Sequence, residues 1–431
     1  SQMSFVHAPN AVDTLLGIEA RGGRVVHVNP RRTETAERVG EQVFIRPDTD
    51  VFFLLSFLQV MFAEHDPGAV PHVRGLSELR ALVAPYSPER AEAVTRVPAG
   101  TLRELVAAFL SARGASVYAS TGLNMGRSGS VGIWLVNAIN VLSGNLDREG
   151  GAIVPHGMFP LATVAHHTGF GRGHQRSRVG DFEAVLDQMP GAILPDEILT
   201  PGAEQVRALF VTAGNPVLSC ANEARMRKAL ESLELLVCID LFRNETGQLA
   251  HYVLPGLSFL ERSDIPLGAQ GFMSEPYLQH TPAVVQPDGQ QRHEWWIFRE
   301  LAHAVGVPLM GLPGADAWRT LDRGLRRLPV LGDKLAFHPD QLYAGMIAAT
   351  GQTTLGGVQK HPHGRPLRRK PTGDFLPGRL LTADKRVDLA PPDLLAAGHD
   401  LAARFDEELG TLDELRLITK RERNSHNSWM H

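Results

Sequence analysis

The sequence predicts an α/β protein of two doubly wound, Rossmann-like domains with mostly parallel sheets. Three observations carry that expectation. Short β-branched runs alternate with helical runs at the spacing of parallel βαβ units, most sharply over residues 206–255. A second alternation of the same kind occupies the N-terminal part of the chain. Polar, glycine-bearing clusters follow the strands directly, at the edge where an open parallel sheet binds its ligands.

Each element has a local reason. Residues 10–19 have helical periodicity, and Gly22-Gly23 stops them. A strand over 24–28 runs into Asn29-Pro30-Arg31-Arg32-Thr33. A second strand, 42–45, leads into Arg46-Pro47-Asp48-Thr49-Asp50, with Thr49 or Asp50 as N-cap of an apolar helix from Val51. Residues 76–95 read as two helices and 101–113 as an amphipathic one. Residues 115–120 read as a strand, and 131–142 as a helix stopped by Ser143-Gly144-Asn145. Residues 156–180 are aperiodic and rich in Gly, His and Arg, as expected of a long functional or disordered loop.

The second unit alternates more regularly. A strand over 206–212 turns through Gly214-Asn215-Pro216 into a helix over 222–232. Strands over 235–239 and 252–254 follow, with Asp240 ending the first. Helices are expected at 293–305, 315–327 and 340–350, an extended segment at 355–380, and a new strand from 415. The expected organisation is a first α/β domain over 1–150, a second over 151–330, an irregular linker over 331–412 and the start of a further domain over 413–431.

Composition narrows the class. The 431 residues allow two or three cores. Hydrophobic residues at 43% and charged residues at 21% suit a globular protein. A formal net charge of -4 argues against a partner held by nucleic-acid phosphates. The apolar run 51–62 is shorter than the roughly 20 residues of a membrane span. No basic and apolar signal pattern opens the chain. Cys220 and Cys238 sit in apolar surroundings and read as reduced thiols, so a cytoplasmic location is expected. Two cysteines cannot ligate a four-cysteine iron–sulfur cluster.

The strand-end clusters suit a large ligand bearing phosphate. Glycine lets a pyrophosphate approach the backbone, and Asp50 or Asp240 could accept bonds from the N1–H and amine of guanine. Turn chemistry alone would also place Gly, Asn and Asp in such loops.

Several of these segments, in order, resemble one family. Val28-Asn29-Pro30-Arg31-Arg32-Thr33-Glu34-Thr35-Ala36, then Arg46-Pro47-Asp48-Thr49-Asp50, is similar to the D-P-R-x-T-x-T-A and R-P-G-T-D patterns of the bis-molybdopterin guanine dinucleotide oxidoreductases. That family includes formate dehydrogenases, periplasmic nitrate reductases and dimethyl sulfoxide reductase. Thr121-Gly122-Leu123-Asn124 resembles its G-x-N/Q loop, and Leu142-Ser143-Gly144-Asn145-Leu146 with Gly150-Gly151 its L-T-G-N-x-G-x-x-G-G segment. Gly214-Asn215-Pro216, Ser219, Asp240, Glu245-Thr246 and Val253-Leu254-Pro255 resemble its later motifs. Arg423-Asn424-Ser425-His426-Asn427-Ser428-Trp429-Met430-His431 resembles the opening of its C-terminal domain.

The resemblance implies two α/β domains around two pterin dinucleotides whose dithiolenes hold molybdenum or tungsten. It also implies the first strand of a C-terminal β-barrel-like domain, truncated here. Asn29, Pro30, Arg31, Asp48, Thr49, Asp50, Asp240 and Thr246 would then serve the dinucleotide. So would Gly122, Leu123, Asn124, Gly144, Asn145, Gly214, Asn215, Ser219, His426, Asn427, Trp429 and His431.

The family's 4Fe–4S domain and its Ser, Cys or selenocysteine metal ligand precede the Asn29-Pro30-Arg31 region and are expected upstream of this chain. No catalytic or metal-ligating residue is therefore assigned here. The chain is expected to be inactive and largely apo by itself, and the whole protein to work with a small-molecule substrate and an electron-transfer subunit or redox protein. Asn29 replaces the usual Asp, Asp48 the usual Gly, and His251 the usual Asp. The arginine that formate dehydrogenases place after Gly151 is not evident in Val154-Pro155-His156-Gly157-Met158, which argues against formate. His156, His166, His167 and His174 match no zinc spacing, and their loop is expected to line a substrate funnel. A non-catalytic scaffold, like the large peripheral subunit of respiratory complex I, is the alternative. A nucleotide-dependent dehydrogenase would need a G-x-G-x-x-G after a strand, and none is present.

Overall fold

Helix Asp50–Glu64 is apolar on every side, and eleven of its 15 residues are buried, so it can only be a central helix. The structure, a computed structural model, describes residues 10–64, 70–169, 175–307 and 339–420. The chain divides into two compact units, residues 1–154 with 371–425 and residues 155–370. In the first, helices Leu76–Val83, Pro88–Thr95, Ala99–Ser111 and Gly129–Leu142 surround the central helix. The expected helix pair at 76–95 is these first two, with Ser87 accepting the N–H of Arg90 between them.

Strand Val26–Asn29 pairs in parallel with Glu41–Phe44, bringing the loops after both strands to one edge. Val73–Arg74 pairs in parallel with Val387–Asp388. The second unit is built on a parallel sheet of Ala208–Thr212, Leu235–Asp240 and Tyr252–Pro255, with Leu235–Asp240 in the middle. Helix Glu223–Glu231 lays Met226, Ala229 and Leu230 on that sheet. A short antiparallel pair, Tyr277–Leu278 with Arg365–Pro366, accompanies it. The protein is thus mixed α/β with mostly parallel sheets, as expected, and no closed barrel forms among the described residues. No helix of the described residues is long and apolar enough to cross a membrane.

Five expectations are corrected. Residues 115–120 form no strand. Asn140 of the neighbouring helix takes the place of a strand partner, accepting the N–H of Val117 (3.0 Å) and donating to its carbonyl (2.8 Å). Residues 414–420 also form no strand, because Arg416 turns back to donate to the Pro47 carbonyl and to Glu408. The expected loop at 156–180 contains helix Leu161–Thr168. The expected linker, 331–412, and extended segment, 355–380, are not wholly irregular. They include helices Pro339–Ala349, Leu355–Gln359, Pro392–His399 and Leu401–Gly410. The expected helix at 315–327 lies outside the described residues.

Helix Leu401–Gly410 explains why the linker looked irregular. One face is apolar through Leu401 and Phe405, whose ring meets Phe52 edge-on at 5.2 Å. The buried face continues with Arg404 and Glu408, so ionic residues mask the apolar period. Glu408 is fully buried and paired with Arg46, Arg127 and Arg416. Arg404 pairs with Asp48 at 2.9 Å. A second tie lies along the same return of the chain. Asp147 accepts the N–H groups of Gly373 and Phe375 (both 2.9 Å) and of Val154 (3.2 Å).

Glu408→Gln leaves the buried Arg46 guanidinium, and Arg416 beside it, without their anion. We expect a loss of about 3 kcal/mol, read as a lower urea midpoint; an unchanged midpoint would show that the network adds nothing. Asp147→Gly keeps the backbone conformation, φ +53°, and removes the acceptor. We expect about 2 kcal/mol and earlier proteolysis near residue 373; wild-type protection there would contradict the tie.

Candidate functional site

The 46–50 turn is fixed from both sides. The Arg46 N–H donates to the Thr95 carbonyl (2.9 Å), and the Thr49 hydroxyl donates back to the Arg46 carbonyl (2.7 Å). Thr49 is fully buried in the protein's own interior. Asp48 occupies the left-handed region at φ +65°, where Asp is tolerated better than most residues. Its Oδ1 accepts the N–H of Arg127 (3.1 Å) and its Oδ2 accepts Arg127 Nε (3.0 Å). Arg404 also donates to Asp48 Oδ2 and to its carbonyl.

Asp50 is treated differently. It opens the central helix, lines a small recess with Asp48, Val51, Leu123, Gly126 and Ser128, and has no side-chain partner among the described residues. Burial raises its carboxyl above the ordinary value; a hydrogen bond from its own backbone N–H opposes this, the charge of Asp48 adds to it and Arg404 opposes it. The recess holds only about 10 Å³, roughly one water.

Around this turn the other expected residues take separate positions. Asn29 Oδ1 accepts the N–H of Arg31 across Pro30 (3.1 Å), and Arg31 reaches Glu34 at 3.3 Å. Gly122 and Asn124 are exposed on the short helix Thr121–Asn124, and Leu123 is buried in the core. A Cβ at Gly129 would lie 2.5 Å from the Asn124 carbonyl, so that loop needs a glycine there. Gly144 stands at φ +69°. Asn145 is buried; its carbonyl oxygen accepts the N–H of Ala115 (3.3 Å) and its amide donates to Ser143 (3.0 Å).

In the second unit the strand ends assemble one polar network. Asn215 donates to Glu245 (2.6 Å) and accepts from the Thr246 hydroxyl (2.8 Å), which also accepts the N–H of Val217 (3.3 Å). Ser219 donates to the Asn215 carbonyl (2.9 Å). Asn244 donates to Asp240 Oδ2 (3.2 Å) and to the Gly214 carbonyl (3.5 Å). Asp240 Oδ1 accepts the N–H groups of Leu241 (2.6 Å) and Phe242 (3.3 Å). The loops after Ala208–Thr212 and Leu235–Asp240 are therefore held by side chains. Asp240 Oδ2 accepts from Asn244 and keeps acceptor capacity.

Beside this network lies an open cleft of about 470 Å³, lined by Leu241, Phe242, Pro255, Gly256, Ser258, Glu261, Gln290 and Gln291. It lies beyond the carboxyl ends of Leu235–Asp240 and Tyr252–Pro255, the edge where open parallel sheets bind ligands. Sequence reasoning found Asp240 but not the cleft: Gln290 and Gln291 come from an aperiodic loop. Exposed Phe242, three residues before Glu245-Thr246, was the available signal. The reading also missed Arg127, Arg404 and Glu408, whose roles need contacts distant in sequence. His426, Asn427, Trp429, His431 and His174 lie outside the described residues. Among the described residues no group of three or more His, Cys, Asp or Glu side chains is arranged to hold a metal ion. Both cysteines are free, and burial pushes the Cys238 thiol up.

Comparison with known proteins gives this geometry a family. Residues 18–304 match the molybdopterin oxidoreductase family model. The chain is 26% identical to acetylene hydratase of Syntrophotalea acetylenica, over 67% of this chain and 43% of that protein. It is 22% identical to formate dehydrogenase H of Escherichia coli, over 73% and 45%. Against the dimethyl sulfoxide/trimethylamine N-oxide reductase of Cereibacter sphaeroides the identity is 26%, over 69% and 39%. The chain thus matches under half the length of each. In fold it is similar to acetylene hydratase from Pelobacter acetylenicus, with TM-score 0.68 and 21% identity over 90% of this chain and 54% of that one. The family match covers well over half of the sequence, and the chain belongs to the molybdopterin oxidoreductase family.

Proposed function

We propose that this chain is the dinucleotide-cradling part of a molybdenum- or tungsten-dependent oxidoreductase catalytic subunit. The observation that carries the reading is Asp50, a half-buried carboxylate without a side-chain partner among the described residues, facing a recess at the end of a strand–turn–helix. Its own backbone N–H is a donor to the carboxylate, which leaves acceptor capacity facing the recess, and guanine offers two donors on one edge. Asp240, with acceptor capacity left on Oδ2, suits the same role beside its cleft. Asp48 does not, because Arg127 and Arg404 already occupy it.

Each unit therefore offers one carboxylate of the chemistry that guanine recognition needs, Asp50 in the first and Asp240 in the second. When bound, the pterin dithiolenes would supply a metal centre for two-electron or oxygen-atom transfer. This chain's own side chains would bind and orient the nucleotide ends. Formate dehydrogenase- or nitrate reductase-like chemistry, an upstream 4Fe–4S cluster, electron transport to a redox partner and a cytoplasmic location belong to the same reading. Weak retention of cofactor by the chain alone belongs to it too, since a recess of about 10 Å³ cannot enclose a base. Metal analysis and pterin fluorescence of the purified chain should accordingly be substoichiometric; one molybdenum per chain would refute weak retention.

The direct test is nucleotide preference. GMP should bind the purified chain in preference to AMP, by isothermal titration or ligand-observed NMR. Asp50→Ala should reduce GMP binding by about 10-fold or more without unfolding the protein. Equal binding of GMP and AMP, or none of either, would favour the scaffold reading.

A further inference from the structure

Two carboxylates lie two residues apart in the 46–50 turn, and their environments have separated. Asp48 accepts from Arg127 twice and pairs with Arg404; Asp50 faces the recess without a side-chain partner among the described residues. We propose that Asp48 is a positioning residue for Asp50, linking that acceptor to Arg127 and to helix Leu401–Gly410.

A Cβ at residue 126 would lie 2.5 Å from Asp48 Oδ1, so the Asp48 carboxylate fits its place because Gly126 has none. Arg127 bridges Asp48 at 3.0 Å, Glu407 at 2.9 Å and Glu408 at 2.6 Å. Arg404 lies over the Phe52 ring, 5.7 Å from its centroid, which fixes it against the central helix that Asp50 opens. The side chains that hold Asp48 thus come from helix Leu401–Gly410 and from the loop ahead of Gly129–Leu142, besides its own turn.

The charged groups around Asp50 are Asp48 from the turn, Arg404 from helix Leu401–Gly410 and Arg127 through its pairing with Asp48. Leu123, Gly126 and Ser128 are neutral. Burial favours the protonated form of Asp50 most, its own backbone N–H favours the ionised form, Asp48 the protonated form and Arg404 the ionised form. Asp50 must be ionised to accept both donors of a guanine edge. Binding is therefore present above the Asp50 pKa and lost as pH falls through it. Removing the Asp48 charge lowers that pKa; removing Arg127, which partly neutralises Asp48, raises it.

The inference rests on the nucleotide reading for its ligand, and the test separates the two. The purified chain labelled with ¹³C at aspartate carboxyls is titrated as wild type, Asp48→Asn and Arg127→Met, with GMP affinity measured over the same pH range. Asp50 is assigned by the signal lost in Asp50→Asn. We expect Asp48→Asn to move the Asp50 midpoint, and the acid loss of GMP binding, down by about one pH unit. Arg127→Met should move both up. General loosening of the turn would move both variants the same way, so opposite signs are the signature of positioning. Coincident Asp50 titrations in all three proteins would overturn the proposal. Opposite shifts without any GMP binding would support the coupling and overturn the nucleotide reading. Should Asp48→Asn not fold, the upward shift in Arg127→Met, whose side chain is 47% exposed, decides alone.

Asp50→Asn adds an independent readout. A carboxyl whose folded pKa is raised binds its proton more tightly folded than unfolded, so stability falls as pH rises through the folded pKa. Asp50→Asn should therefore melt higher than wild type at neutral pH, with the difference vanishing in acid below the unfolded carboxyl pKa of about 4. A lower melting temperature at neutral pH would mean that the Asp50 carboxylate has a stabilising partner.

Discussion

The first unit depends on Glu408. Its side chain is fully buried, and guanidinium groups from the 46–50 turn, from the loop before Gly129–Leu142 and from residue 416 converge on it. A carboxylate taken so far from water is tolerable only with its partners in place. The helix that carries Glu408, the turn that carries Asp50 and the loop that carries Arg127 therefore have to assemble together. The side chain most important to the candidate site in this unit does not itself face the site.

That dependence explains what was legible in the sequence. The parallel sheet of the second unit was legible because apolar strands, the middle one buried, alternate with a helix whose apolar face is clean: Met226, Ala229 and Leu230 are buried and its charges are not. The central helix was legible because it is apolar throughout. Helix Leu401–Gly410 was not, because Arg404 and Glu408 sit where a pattern search expects apolar residues. Residues 115–120 looked like a strand from side-chain preference alone; whether a strand forms depends on a neighbour's backbone, and here a helix side chain, Asn140, answers instead.

The site divides along the same line. Ordered motifs located Asp50, Gly214, Asn215, Asp240 and Thr246 at strand ends, because those residues act through local backbone geometry. Motifs could not say which of them are already satisfied. Asn215 and Thr246 are bonded to each other, and Asn145 holds Ala115 and Ser143. Availability is a property of three-dimensional neighbours, and it singles out Asp50 from residues that look equivalent in one dimension.

Asp48 and Asp147 extend this point. Both stand at positive φ, +65° and +53°, and both fall where the resembled patterns carry glycine. A side chain in that conformation carries a backbone strain cost that glycine avoids. Each aspartate here accepts bonds from the returning chain: Asp147 from the N–H groups of Gly373 and Phe375, Asp48 from Arg404. The two exchanges are therefore one adaptation made twice, in which a permissive turn residue becomes an anchor for residues 371–416. Its consequence for chemistry differs between the turns. At Asp147 the anchor is structural. At Asp48 it places a negative charge, held by the return segment, two residues from the carboxylate that faces the recess, where it adds to the effect of burial on Asp50.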